Sequence, residues 1–140
     1  MSTLQRAIEI AVHSHRDQTT KDGQPYVLHP LTLMMRVDSE EEKIAAVLHD
    51  VVEDTETTLE DLEAEGFSKE TVEVIDLLTH REDLSYDEYI GRLAENSVAR
   101  NVKLADLGHN MDITRIPNPG PKDFERLQKY HRIWTKLSRL

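Results

Sequence analysis

The stretch Ile44-Ala45-Ala46-Val47-Leu48-His49-Asp50-Val51-Val52-Glu53-Asp54-Thr55 joins five apolar residues to a histidine and three carboxylates. Helical spacing makes sense of this order. Successive helix positions turn by about 100°, and positions three or four apart share a face. Glu53 then lies one turn beyond His49 and Asp50, and Asp54 one turn beyond Asp50. Four polar groups crowd one end of a helix whose earlier turns are greasy. Close carboxylates repel unless a proton or cation intervenes. A divalent metal is the simplest resolution, with His49 and Asp50 as ligands and Glu53 and Asp54 free for proton transfer.

Two ligands do not make a metal site, and the chain offers two more. His29 stands beside Pro30, where a loop enters a helix, and Asp106 lies in the apolar helical stretch Val102-Lys103-Leu104-Ala105-Asp106-Leu107. A carboxylate in that company needs a partner if it is buried. His29, His49, Asp50 and Asp106 make a two-nitrogen, two-oxygen set that suits Mn²⁺, Fe²⁺ or Zn²⁺ and leaves positions for water. The competing reading makes Asp106 a helix-surface charge and His29 a loop histidine capping a backbone group.

The rest of the chain reads as helix after helix. Leu4, Ala7, Ile8, Ala11 and Val12 recur at helical spacing. Ser39 to Glu42, Thr57 to Glu60 and Ser85 to Glu88 read as capping boxes, and Ser68 and Ser97 as helix caps. Gly66 ends the helix that Thr57 opens. Thr19 to Tyr26 is a loop, and Pro30 suits a first helical turn. Pro117-Asn118-Pro119-Gly120-Pro121 breaks the pattern, as a connector or a cover over substrate. A last helix over 122–140 follows, with Phe124, Leu127, Tyr130, Ile133, Trp134 and Leu137 expected in the core. The expectation is an all-α, single-domain bundle of about seven helices spanning 1–140.

Bulk properties narrow the function classes. The 140 residues suffice for one domain with a real core. Hydrophobic residues make up 38% and their runs are short, so no membrane span is expected. The amphipathic start, Met1-Ser2-Thr3-Leu4, lacks a signal-peptide apolar region. Cysteine is absent, which removes thiolate metal sites and disulfides and fits a cytoplasmic setting. A net charge of −10 argues against nucleic-acid binding. It leaves room for a small phosphorylated nucleotide, because a bound metal and a few lysines can reverse the field inside one cleft. The oligomeric state is not legible.

The order His29…His49-Asp50…Asp106 resembles the signature of the HD-domain metal-dependent phosphohydrolases. The surrounding words are narrower. His15-Arg16-Asp17-Gln18, Lys21-Asp22-Gly23, Pro25-Tyr26-Val27-Leu28-His29-Pro30, Ala46 to Thr55, and Val102 to Asp106 with Asn110 are similar to the hydrolase domain of the RelA/SpoT family. The likeness is strongest to its small stand-alone alarmone hydrolases and covers residues 4–115.

That resemblance implies hydrolysis of the 3′-pyrophosphate of guanosine tetra- and pentaphosphate, with Mn²⁺ held by His29, His49, Asp50 and Asp106. It implies that Glu53 and Asp54 handle the attacking water and its protons. Asn110 would contact the ribose-phosphate end, and Lys21 and Lys103 would meet phosphate. One departure stands out. The family's base-stacking arginine precedes the Lys21 position, and here that residue is Thr20. Without a planar cation there, guanine preference does not follow, and an adenosine alarmone becomes a candidate. Arg16 is an alternative source of that cation. His15 reads as support or packing, while His80 and Arg81 border the cleft. His109 has no legible direction, and His131 reads as a structural or surface residue. An HD-type nucleotide monophosphatase and a non-catalytic nucleotide-binding module are the alternatives.

Overall fold

Helix α3, Glu40–Leu48, organises the molecule. Three glutamates fill its first turn, where they favour the positive end of the helix dipole, and Ser39 and Glu42 close a reciprocal capping box. Every residue from Ile44 to Leu48 is buried. A helix that is apolar all round must be covered all round. Ala45 and Ala46 face one core cluster, with Leu33, Leu78, Leu93, Val102, Ile133 and Leu137. Ile44, Val47 and Leu48 face the other, with Ala7, Ile10, Ala11, Leu62 and Ile75. The small alanines leave room for neighbouring helices to pack close to the α3 backbone.

The structure, a computed structural model, describes residues 2–140; Met1, the first residue of the expected domain range, lies outside the described residues. Around α3 lie α1 (Leu4–Ser14), α2 (Leu28–Met35), α4 (Val51–Asp54), α5 (Leu59–Ala64), α6 (Lys69–Leu78), α7 (Tyr86–Ala94), α8 (Ser97–Asn110) and α9 (Pro121–Ser138). A single 3₁₀ turn, Ile113–Arg115, follows α8. Helices α1, α2, α6 and α8 pack directly on α3, and α9 packs on α8. The architecture is all-α, as expected, with more and shorter helices than about seven. No strand is present among the described residues, only an isolated bridge between Thr19 and Pro25. No helix of the described residues is long and apolar enough to cross a membrane.

Several local expectations need correction. The helix expected to run through His49 to Asp54 is broken: α3 stops at Leu48 and α4 starts at Val51. The cause is His49 itself, whose backbone N–H and ring Nδ1 both turn back onto the Ala46 carbonyl. That carbonyl would otherwise receive the Asp50 amide in a continuous helix. The α5 cap is Thr58, paired with Asp61, one residue later than expected. The α8 cap is Asn96 rather than Ser97, its side chain accepting from the Ala99 amide. Asn96→Ala should therefore cost about 0.5–2 kcal/mol in urea unfolding, while Ser97→Ala, at an exposed first-turn position, should change stability little.

On α9 only Ile133 and Leu137 reach full burial, whereas Phe124 and Trp134 are exposed. Both aromatics were expected in the core. An outer helix that packs mainly on one neighbour needs a narrow apolar stripe, and Ile133 and Leu137, four apart, supply it.

Candidate metal centre and cavity

The break after α3 places His49 and Asp50 in the middle of the molecule. A carbonyl oxygen can only accept, so the 2.7 Å contact with Ala46 means that His49 carries its proton on Nδ1. Its Nε2 points inward, is buried and has no hydrogen-bond partner. That atom lies 2.9 Å from Asp50 Oδ2 and 3.6 Å from Asp106 Oδ1, close in distance but out of line for a hydrogen bond. Burial alone would push the His49 pKa down; the Asp50 and Asp106 carboxylates overcome it and hold it well above its ordinary value. The pocket therefore favours positive charge at this nitrogen.

His29, from the first turn of α2, places Nε2 3.0 Å from Asp106 Oδ1. The ligand atoms of His29, His49 and Asp106 lie within 4.8 Å of one another, and all three residues are buried. Asp50, Glu53 and Asp54 form a second group at the same spacing, with Glu53 and Asp54 exposed. Asp50 touches the first group through His49 and accepts a hydrogen bond from the Tyr26 hydroxyl. Burial and then the Asp50 charge push the Tyr26 pKa up, so this hydroxyl remains a donor at neutral pH.

Asp106 is the most heavily engaged acid. Oδ1 also accepts from Asn110 Nδ2 at 3.0 Å, and Oδ2 accepts from Lys103 Nζ at 3.0 Å. Burial opposes both charges of the Lys103–Asp106 pair, yet their attraction keeps the acid well below the carboxylate range and the lysine well above its own. Lys103 thus lines the cavity with its ammonium already committed to a carboxylate, and it also lies over the Tyr89 ring.

Glu53 Oε1 accepts from the backbone N–H of His80 at 2.6 Å, at the end of α6. Partial burial, then Asp50 and Glu53, push the Asp54 carboxyl up to about 6. Asp54 is nonetheless exposed to solvent, which screens that effect. The Gln18 side chain donates to its backbone carbonyl at 2.8 Å.

These groups share a cavity of about 430 Å³. Thr20, Lys21 and Asn110, all expected at the site, line it. The Thr20 hydroxyl is tied within its own loop, to Asp22 and to the Gln24 amide. Lys21 reaches across to Asp123 on α9, 3.2 Å away. Arg16 lies apart, on a separate surface groove, and Arg81 pairs with Asp76 outside the cavity. His80 borders the cavity, its ring stacked on Tyr89.

No site role is expected from the sequence for Tyr26, Arg115 or Arg126, and Tyr130 is expected in the core, yet all four line the cavity. Tyr26 carried a local signal, three residues before His29 at the start of α2. Arg126 and Tyr130 are four apart on α9, but nothing local says that this face turns inward. His109 is buried behind His29, the two Nδ1 atoms 2.7 Å apart. Burial, Arg115, His29 and Arg36 push its pKa down to about 4, so it stays neutral near pH 7.

Residues 7–116 match the HD-domain family. The chain is 36% identical over 87 residues to a guanosine-3′,5′-bis(diphosphate) 3′-pyrophosphohydrolase of Aquifex aeolicus, covering 59% of this chain and 12% of that protein. It is 32% identical over 124 residues to the bifunctional (p)ppGpp synthase/hydrolase SpoT of Escherichia coli, covering 77% of this chain and 17% of SpoT. The chain thus spans less than a fifth of the length of these curated relatives. A solved structure of a metazoan ortholog of SpoT that hydrolyses ppGpp superposes with a TM-score of 0.76 at 27% identity, covering 98% of this chain and 84% of that one.

Proposed function

Since the chain belongs to the HD-domain family, we propose that it is a divalent-metal-dependent phosphohydrolase releasing the 3′-pyrophosphate of guanosine or adenosine alarmones of the (p)ppGpp type. The observation that carries the chemistry is the unpartnered, buried Nε2 of His49, facing Asp50, Asp106 and the neighbouring Nε2 of His29. A buried nitrogen acceptor among carboxylates, with its other nitrogen fixed by a carbonyl, fits a divalent cation. The substrate class is supported by a relative named for 3′-pyrophosphate hydrolysis and by a structural neighbour described as hydrolysing ppGpp.

In this reading His29, His49, Asp50 and Asp106 hold the ion. Mn²⁺ is proposed from the family resemblance, and Fe²⁺ or Zn²⁺ would suit the same donors. When bound, such an ion acidifies water and offsets the negative charge of phosphate. Tyr26 orients Asp50 by its hydroxyl, and Lys103 and Asn110 fix both oxygens of Asp106. Glu53, anchored by the His80 amide, accepts a proton from the attacking water. Asp54, whose carboxyl is pushed up to about 6, delivers a proton to the ribose 3′-oxygen as its bond to phosphorus breaks.

Lys21, Arg115 and Arg126 line the other side of the cavity and would meet the remaining phosphates, despite the net charge of −10. Residues 1–140 act as one domain in this proposal, because α9, which spans Pro121–Ser138 rather than the expected 122–140, contributes Arg126 and Tyr130 to the cavity wall. A cytoplasmic setting belongs to the same proposal and rests on the substrate class alone.

Base preference is the test specific to this chain. Thr20 offers no planar cation, and its hydroxyl is engaged within the loop. Thr20→Arg should raise kcat/KM on guanosine tetraphosphate relative to its adenosine analogue, by roughly 1–2 kcal/mol of added cation–π contact. Steady-state kinetics on the two substrates check it, and an unchanged ratio would mean that the base is read elsewhere.

A further inference from the structure

His109 is a buried polar side chain that touches a proposed ligand and has no task in the reaction described so far. Its Nδ1 lies 2.7 Å from Nδ1 of His29, and the rings stack with centroids 5.0 Å apart and planes 11° from parallel. Two imidazole nitrogens can hydrogen-bond only if one carries a proton and the other does not. The tautomers of His109 and His29 are therefore coupled. Without a cation, Nε2–H of His29 donates to the Asp106 carboxylate, 3.0 Å away, and Nδ1 accepts from His109. To offer Nε2 to a cation, His29 must carry its proton on Nδ1 and donate it to His109.

An imidazole partner meets both demands by changing tautomer while its ring stays in place. The pair gains and loses no proton overall. The Ala46 carbonyl behind His49 can only accept, so it allows one state alone. The His109 backbone is itself anchored, its carbonyl accepting from Arg115 Nη1 at 3.1 Å.

We propose that His109 is the positioning residue for His29, holding its ring and accepting the Nδ1 proton in the tautomer whose Nε2 lone pair faces Asp106 and His49. The inference rests on the reading of His29 as a metal ligand. Calorimetric titration of the metal-stripped full chain with Mn²⁺ tests it, on the wild type, His109→Leu, His109→Asn and His29→Ala. Leucine has nearly the size of asparagine and no polar atom. The asparagine amide sits where Nδ1 sits and can accept or donate by flipping.

The expected result is a roughly 10–100-fold loss of Mn²⁺ affinity in His109→Leu, mostly recovered in His109→Asn. Unchanged affinity in His109→Leu overturns the proposal. So does an equal loss in both variants, which would assign His109 to packing alone. If His109→Leu does not fold, His109→Gln replaces it with the same expectation, since its amide lies one bond further out. If the wild type binds no Mn²⁺, or His29→Ala binds as tightly as the wild type, the ligand reading itself fails and takes this inference with it.

Discussion

Asp50→Ala is expected to abolish Mn²⁺ binding and turnover together. Asp50 joins the two clusters of the site: its Oδ2 lies 2.9 Å from His49 Nε2, and it groups with Glu53 and Asp54. Removing it takes away a proposed ligand and much of the negative field that raises the His49 pKa. Loss of a group that merely supports a ligand costs roughly 10–100-fold in affinity or activity. Loss of a ligand should exceed that, leaving kcat at background and no calorimetric signal for Mn²⁺. Asp106 would be a poorer choice. It neutralises Lys103 through an interaction in which both side chains are largely buried, and stranding that ammonium would cost about 3–5 kcal/mol of stability. Asp50 has no such cationic lysine behind it; the group it would strand is the Tyr26 hydroxyl. Mn²⁺ binding and activity that both survive in Asp50→Ala would remove Asp50 from the site.

Glu53→Gln is expected to separate binding from chemistry. The amide keeps an oxygen that can accept from the His80 N–H, so the side chain should stay in place. It cannot take up a proton near neutral pH. Turnover should fall by roughly 10²–10⁴-fold, the usual worth of a positioned general base, with KM and Mn²⁺ affinity unchanged. Full activity in Glu53→Gln would reassign the proton transfer, with Asp54 next in line. Equal losses in metal affinity and kcat would make Glu53 a ligand.

The pair of variants also bears on how the site was legible. Helical spacing predicted that His49, Asp50, Glu53 and Asp54 belong together, and they do, although the helix between them is broken. The spacing argument could not see that the His49 ring competes for the Ala46 carbonyl. Asp106 stands out in the sequence because a carboxylate among Leu104, Ala105 and Leu107 needs a partner. Its actual partners, His29, Lys103 and Asn110, are spread over two helices.

Caps were legible where the serine had no rival beside it, as at Ser68 and Ser85, or where a glutamate three residues on completed a capping box, as at Ser39. Where two candidates stood side by side, as in Thr57-Thr58 and Asn96-Ser97, the choice depended on where the helix had to begin to bury its apolar face. The α9 aromatics illustrate a different limit. Periodicity marks a face but not how much of it another helix covers, and Phe124 and Trp134 lie outside the seam that Ile133 and Leu137 make with the bundle. His109 was illegible for a related reason: its role depends on His29, eighty residues earlier in the chain, which only packing brings near.

The most direct test of the account is product analysis by anion-exchange chromatography. Metal-stripped protein would be reconstituted with Mn²⁺ and given guanosine and adenosine 3′-diphosphates, 3′-monophosphates and ordinary nucleotides. The account predicts pyrophosphate released from a 3′-diphosphate, dependent on added metal. Release of inorganic phosphate alone, or no turnover across the panel, would contradict it and leave a monophosphatase or a nucleotide-binding module in its place.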